Sequence, residues 1–305
     1  MKVALLADVH GNAPALRAVL RDCGERQVDE HWFLGDLLGY GPQPVSCYRL
    51  LAEKRPAVWL LGNHDFVGLG ILRSDLANLD HIVARGLVPG RAELDILGWH
   101  ARQLEVGLEP GEIHALHAHD TWVNAIPGIY AAHGALLSSE AASADNISGA
   151  NSYLRLGSSG PQITAQVLAA LHLDEEERPW LVVAGHVHEA AICQIRWAPP
   201  QQPEWKGLTW DDGSAYGDPP PACLGLAGCL SLLCPGSVGG RLNDLLTHQP
   251  TYAILDTDNR TVQYRRVAYD VRETLAAMVL PPRAPNLESD LTDLMEDWKT
   301  RRQMA

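Results

Sequence analysis

Short apolar runs recur along the chain, and the first three stop abruptly at glycine and acid residues. Residues 3–7 (VALLA) end in Asp8, Val9, His10 and Gly11; residues 32–34 (WFL) end in Gly35 and Asp36; residues 58–61 (VWLL) end in Gly62, Asn63, His64 and Asp65. Runs of this length, bounded by turn formers, read as buried strands. The intervening segments 13–27 and 43–54 carry apolar residues at helical spacing (Leu16, Val19, Leu20; Val45, Tyr48, Leu51), and Pro14 stands where a helix can begin. The pattern predicts strand, helix, strand, helix, strand, with right-handed crossovers that make the strands parallel. All three strand ends then fall on one edge of the sheet.

That common edge gives the polar residues their meaning. At i, i+2 on a strand end, Asp8 and His10 project to the same side, so one cation can take an oxygen and a nitrogen together. Gly11 lets the chain turn away without crowding them. Further on, residues 113–116 (IHAL) read as a short strand running into His117, Ala118, His119 and Asp120, and residues 180–184 (WLVVA) end in Gly185, His186, Val187 and His188, which repeats the i, i+2 spacing. Strands at 192–197, 230–234, 252–256 and 261–269 are expected to form a second sheet, with Asp258 and Asn259 turning a hairpin between the last two.

The remaining segments are less regular. Helices at 77–84 and 93–106 are expected to form a cap, about 73–106, beside the site. The Ser-, Gly-, Ala- and Asn-rich stretch 138–160 reads as a flap, and a helix is expected at about 162–173. Residues 198–228 form a Pro-, Gly- and Trp-containing insertion that resists a regular assignment. The tail 270–305 carries two helices, 271–279 and 287–302, separated by Pro281 and Pro282.

Composition narrows the class. With 305 residues, 46% of them hydrophobic, the chain can bury a large core as a single domain with these additions. A net charge of −13 argues against a broad nucleic-acid-binding surface, which needs a basic face. No basic leader with an apolar stretch and no long apolar run is present, so a soluble, cytoplasmic protein with no membrane partner is expected. Cys23, Cys47, Cys193, Cys223, Cys229 and Cys234 form no C-x-x-C pair and read as buried fillers in a reducing compartment. A thiolate zinc site from Cys223, Cys229 and Cys234 is the alternative, but it lacks a second C-x-x-C half.

Taken in order, Asp8-x-His10, Gly35-Asp36, Gly62-Asn63-His64-Asp65, a lone His117 after a strand, and Gly185-His186-x-His188 resemble the motifs of the calcineurin-like metallophosphoesterases, in their small bacterial and archaeal phosphodiesterase-type branch. The resemblance extends to Gly39-Tyr40-Gly41 and to Pro235-Gly236-Ser237-Val238-Gly239. It implies a four-layer α/β/β/α sandwich of two mixed sheets, with the metal site at loops along one edge. It also implies two divalent cations, Mn²⁺ first, with Fe, Zn²⁺, Ni²⁺ or Mg²⁺ compatible with mixed O/N ligation.

Carried over residue by residue, the resemblance puts Asp8, His10, Asp36 and His188 on one metal and Asp36, Asn63, His117 and His186 on the other. Asp36 bridges, as a two-metal centre requires. Metal-bound hydroxide would attack phosphorus in line, with His64 as the catalytic proton donor at the leaving oxygen and Asp65 orienting its ring. His117 is preferred to His119 because it directly follows the expected strand, although the residue after this ligand is normally Gly in the family and here is Ala118. His119 is then a substrate contact or solvated. Arg241, with Arg155 more distant, is the candidate phosphate clamp. His31, His81, His100, His114, His133, His172 and His248 read as ordinary surface or packing histidines. The expected substrate is a small phosphorylated molecule, a phosphodiester ahead of a monoester. A serine/threonine protein phosphatase, a bis-nucleoside polyphosphate hydrolase and a non-catalytic binding scaffold remain as alternatives.

Overall fold

The computed structural model describes residues 1–72, 91–134, 178–196, 204–207, 222–224, 228–241 and 247–278. Strand β1 (Lys2–Leu6) sits inside the first sheet, with every residue after Lys2 buried. It pairs in parallel with β2 (Glu30–Phe33), which pairs in parallel with β3 (Val58–Trp59). The other edge of β1 is filled, antiparallel, by β11 (Thr251–Asp256), followed by β12 (Thr261–Arg266) and the two-residue β9 (Ala222–Cys223). Residues 252–256 and 261–269 therefore extend the first sheet, a correction to their expected place in the second. A buried β1 cannot leave the N–H and C=O groups of one edge unpaired, and β11 supplies the partners.

The second sheet has the order β4-β5-β6-β10-β7-β8, comprising β4 (Trp122–Ile126), β5 (Ile129–Ala132), β6 (Leu181–Ala184), β10 (Cys229–Pro235), β7 (Ala190–Arg196) and β8 (Glu204–Gly207). Strands β5, β6 and β10 run parallel, and β4 and β7 run antiparallel to their neighbours. Two pieces of the 198–228 insertion, β8 and β9, are thus strands, one at an edge of each sheet.

Period-2 alternation builds the layers. Val3, Leu5, Trp32, Leu34, Ala253 and Leu255 face Ile129, Ala131, Leu181, Val183 and Leu233 between the sheets. On the other face of the first sheet, Ala4, Leu6, Phe33, Tyr252 and Ile254 pack against helices α1 (Ala13–Glu25), α2 (Pro44–Lys54), α3 (Asn63–Leu72), α4 (Arg91–Gly107) and α5 (Pro110–His117). The outer face of the second sheet is also buried at Tyr130, Val182, Cys193, Ile195, Leu230 and Leu232, as the four-layer arrangement requires. The helices expected at 77–84, 162–173 and 287–302, and the 138–160 flap, lie outside the described residues; α6 (Val271–Met278) is the first tail helix. Among the described residues no helix is long and apolar enough to cross a membrane.

One expected strand is a helix. Residues 113–116 lie in α5, whose start is set by Pro110 in its first turn and by a capping box in which Glu109 and Glu112 each accept the other's backbone N–H. These signals outweigh the apolar run that suggested a strand. The strand that occupies this place in the second sheet is β5 (IYAA), sixteen residues beyond Ile113 at Ile129 and ending directly at His133.

Candidate metal centre

Four strands and their following turns deliver the polar cluster: β1 leads to Asp8 and His10, β2 to Asp36, β5 to His133, and β6 to His186 and His188. Asn63 and His64 open α3. Asp8, His10, Asp36, His186 and His188 all take φ between 47° and 67°, the left-handed region that non-glycine residues rarely enter. Each such residue costs of order 1–3 kcal/mol, and interlocking backbone bonds hold them there. Asp8 N donates to Gly35 O at 3.0 Å, His10 N to Asp36 O at 2.9 Å and Gly239 N to Asp8 O at 2.8 Å. The Pro235 to Gly239 turn braces this loop, since Ser237 Oγ also donates to Asp8 O at 3.0 Å.

Two groups of ligand atoms face each other. In the first, His10 Nδ1 donates to Leu38 O at 2.8 Å, which leaves Nε2 as a lone pair 3.0 Å from His188 Nε2. Asp8 Oδ1 lies 3.4 Å from that His188 nitrogen and 4.0 Å from His10 Nε2. In the second, His133 Nδ1 donates to Leu34 O at 2.8 Å, and its Nε2 lies 3.2 Å from Asn63 Oδ1 and 3.4 Å from Asp36 Oδ2. His186 completes a set with Asp36 and His133 whose ligand atoms lie within 4.8 Å of one another. Asp36 Oδ2 is also 3.7 Å from His10 Nε2, so it stands between the groups.

The donor set fits cations. Two ligand atoms each about 2.1 Å from one metal and at right angles to each other lie about 3.0 Å apart, the spacing of His10 and His188. The electrostatics agree. Burial pushes Asp8 up to about 8 and His10 and His186 down to about 3, so these groups favour their uncharged forms. Burial opposes the charged forms of Asp36 and His133 too, but their mutual attraction outweighs it, holding Asp36 well below the carboxylate range and raising His133 to about 9. Divalent cations would take the place of the protons that Asp8 and His133 otherwise hold, leaving both as ligands.

The structure thus brings together Asp8, His10, Asp36, Asn63, His186 and His188, and adds His133. It does not bring His117 there: that residue ends α5 and lines a cleft with Leu72, Glu105, Pro110, Ile113, His114 and Ala118. His133 takes the strand-end position expected of His117. The signal was in the sequence, because His133 follows an apolar run of four and precedes Gly134, whereas His117 precedes Ala118. His119 stacks flat on Trp59, 5.3 Å between centroids and 8° between planes, outside the ligand cluster. Arg241 is exposed, and its Nη2 donates to Val187 O at 3.3 Å, between the two histidines of the 186–188 turn.

His64 is buried, with its ring 4.9 Å from that of His10 and its backbone N donating to Asp36 Oδ1 at 3.0 Å. Asp65 does not orient it. The two Asp65 oxygens accept the backbone N–H of Leu38 at 2.9 Å and of Gly62 at 3.0 Å, and His64 Nδ1 has no hydrogen-bond partner among the described residues. Asp65 sits in the first turn of α3, where loop N–H groups converge, so it ties the Asp36 loop to the Asn63 loop.

The chain has relatives among known proteins. A metallophosphoesterase from Sphaerobacter thermophilus superposes with a TM-score of 0.63 at 25% identity, covering 96% of this chain and 98% of that one. An uncharacterized protein of Methanocaldococcus jannaschii is 38% identical over 68 residues, which is 22% of this chain and 28% of the relative. The symmetrical bis(5′-nucleosyl)-tetraphosphatase of Serratia proteamaculans is 30% identical over 105 residues, 34% of this chain and 37% of the relative. The chain therefore matches about a third of the length of these two relatives. The model of the calcineurin-like phosphoesterase family matches residues 1–205, and the chain belongs to that family.

Proposed function

We propose that this protein is a two-metal phosphoesterase that hydrolyses phosphodiester bonds of a small organic phosphate or nucleotide. The carrying observation is the position of Asp36 Oδ2, 3.4 Å from His133 Nε2 and 3.7 Å from His10 Nε2. One carboxylate between two ligand sets is what offsets repulsion between cations about 3.5–4 Å apart. Asp8, His10, Asp36 and His188 would hold one cation, and Asp36, Asn63, His133 and His186 the other, with Mn²⁺ the first candidate for both. Such ions supply a nucleophilic water at neutral pH and stabilise charge on phosphoryl oxygens.

The chain's own residues do the rest. Leu38 O and Leu34 O fix the tautomers of His10 and His133, so that Nε2 of each faces the ligand cluster. His64 stands beside the cluster as the proton donor to the leaving oxygen. Arg241 adds one positive charge at the rim. A dianionic monoester calls for more cationic groups than this, whereas a monoanionic diester does not, and its poorer leaving group makes fuller use of His64. The test is metal-stripped protein reloaded with each metal in turn and assayed on two esters. With Mn²⁺, kcat/KM for bis(p-nitrophenyl) phosphate should exceed that for p-nitrophenyl phosphate; the opposite order makes the site a phosphatase. The tetraphosphatase likeness supports a second reading, hydrolysis within a phosphate chain.

A further inference from the structure

The loop at residues 39–41 is pressed onto His10. A Cβ at Gly39 would overlap the His10 ring, and one at Gly41 would lie 2.6 Å from His10 O. Between these two glycines Tyr40 is the one side chain the loop presents. Its partly exposed ring lies 4.7 Å from that of His10 and 5.2 Å from that of His64. It therefore flanks both a proposed metal ligand and the proposed proton donor.

Helix α4 fixes this ring in place. His100, fully buried on α4, accepts from Gly39 N at 3.2 Å through Nδ1 and donates to Gly41 O at 2.7 Å through Nε2, so it grips the loop on both sides of Tyr40. Glu93 lies seven residues earlier, two turns away on the same face of α4, and is partly buried. Burial first, then the Asp36 and Glu93 carboxylates, raise the Tyr40 hydroxyl, so the ring stays uncharged. The side of His64 that Tyr40 flanks thus presents an uncharged aromatic ring.

We propose that the leaving group is an uncharged, ring-bearing alcohol of the nucleoside kind, seated against Tyr40, and not a phosphate chain. This rests on the phosphodiesterase reading above and names its substrate class. In the reaction the bond from phosphorus to the alcohol oxygen breaks, a water oxygen bonds to phosphorus, and a proton passes to the departing oxygen. A ring can stack on Tyr40, as bases stack on aromatic side chains. A phosphate chain carries no ring to stack there, and the Glu93 carboxylate on the His100 face of α4 disfavours its negative charge. His100 acts as a positioning residue, through the loop it grips.

The test uses the full chain loaded with Mn²⁺ and compares three substrates: thymidylyl-thymidine, thymidine 3′-(methyl phosphate) and diadenosine tetraphosphate. Formation of thymidine 3′-phosphate is followed in the first two, because it appears only when the alcohol on the far side of phosphorus departs, and that alcohol is thymidine in one and methanol in the other. The wild type should favour the dinucleotide over the methyl ester by about 10- to 100-fold in kcat/KM. Tyr40→Ala should bring that ratio near one and Tyr40→Phe should keep it. His100→Ala should lower it and His100→Gln, which offers an acceptor and a donor, should restore it. Glu93→Gln should raise the relative rate on the tetraphosphate. A ratio is insensitive to the fraction of folded enzyme, so loss of stability alone cannot mimic these results. An unchanged ratio in Tyr40→Ala overturns the proposal while leaving the phosphodiesterase reading intact, and a tetraphosphate preferred by the wild type overturns it in favour of hydrolysis within a phosphate chain. No hydrolysis of these substrates or of bis(p-nitrophenyl) phosphate overturns both.

Discussion

Replacing His133 by alanine should remove one of two bound cations and leave the other. His133 is fully buried, its Nδ1 bonded to Leu34 O at 2.8 Å and its Nε2 3.2 Å from Asn63 Oδ1. A four-ligand transition-metal site binds with an apparent free energy of about 12 kcal/mol, so one ligand accounts for about 3 kcal/mol, or roughly a 100-fold loss of affinity. The buried Leu34 carbonyl also loses its donor, at a cost of about 1–3 kcal/mol of stability. The variant should therefore fold with a lower Tm and still load the group formed by Asp8, His10 and His188. Elemental analysis after equilibration with free Mn²⁺ buffered at about 10 nM, between the two dissociation constants, paired with calorimetric titration, should give two metals per chain in the wild type, one in His133→Ala and two in His117→Ala. One metal in His117→Ala alongside two in His133→Ala would refute the reassignment of this ligand.

Asp36→Asn should weaken both sites together, because its Oδ2 stands between them; elemental analysis showing either site at full occupancy would remove the bridge. His64→Ala should keep its metals and lose about 10²–10⁴-fold in rate on diesters with alkyl leaving groups, and less on nitrophenyl esters, which need less protonation. An equal loss on both would take His64 out of proton transfer. Away from the site, burial would raise Asp22, but hydrogen bonds from Arg265 and Tyr252 outweigh it and hold the carboxyl below its usual range. A depressed folded-state pKa stabilises above the unfolded value of about 3.9 and stops doing so as pH falls through the folded value. Tm should therefore drop more steeply on acidification in the wild type than in Asp22→Asn, and equal slopes would contradict this.

The first half of the fold was legible because its signals are local. The runs 3–7, 32–34 and 58–61 with their intervening helical periods gave β1, β2, β3, α1 and α2, and each run stops where the structure turns. The second half fails where two local signals compete. Residues 113–116 are apolar enough for a strand, but Glu109, Pro110 and Glu112 start a helix first. Once that strand was misplaced, its histidine went with it, and His133 behind the four-residue strand IYAA was passed over. The assignment of β11 to a sheet is a long-range matter: its alternation fits either sheet, and only the unfilled edge of β1 selects the first. The role of Asp65 was not legible for the same reason, since its partners Leu38 and Gly62 are fixed by tertiary packing and not by spacing to His64.

The glycines and the strained ligands belong to one arrangement. Five polar residues of the centre occupy left-handed backbone that a glycine would adopt without strain, yet glycine carries no ligand atom. Their glycine neighbours give up side chains so that these residues can pack closely: a Cβ at Gly62 would overlap the Asp36 carboxylate, and one at Gly35 would lie 2.8 Å from His133 Nδ1. Strain of about 5–15 kcal/mol over the five is sustained by the crossed backbone bonds from Asp8 N, His10 N, Val238 N and Gly239 N, which lock the loops after β1, β2 and β10 to one another. Ligand atoms are thereby held a few ångströms apart by the fold itself. Cation binding then has little backbone left to order, and most of its free energy is available for holding metal at the spacing that phosphoryl chemistry requires.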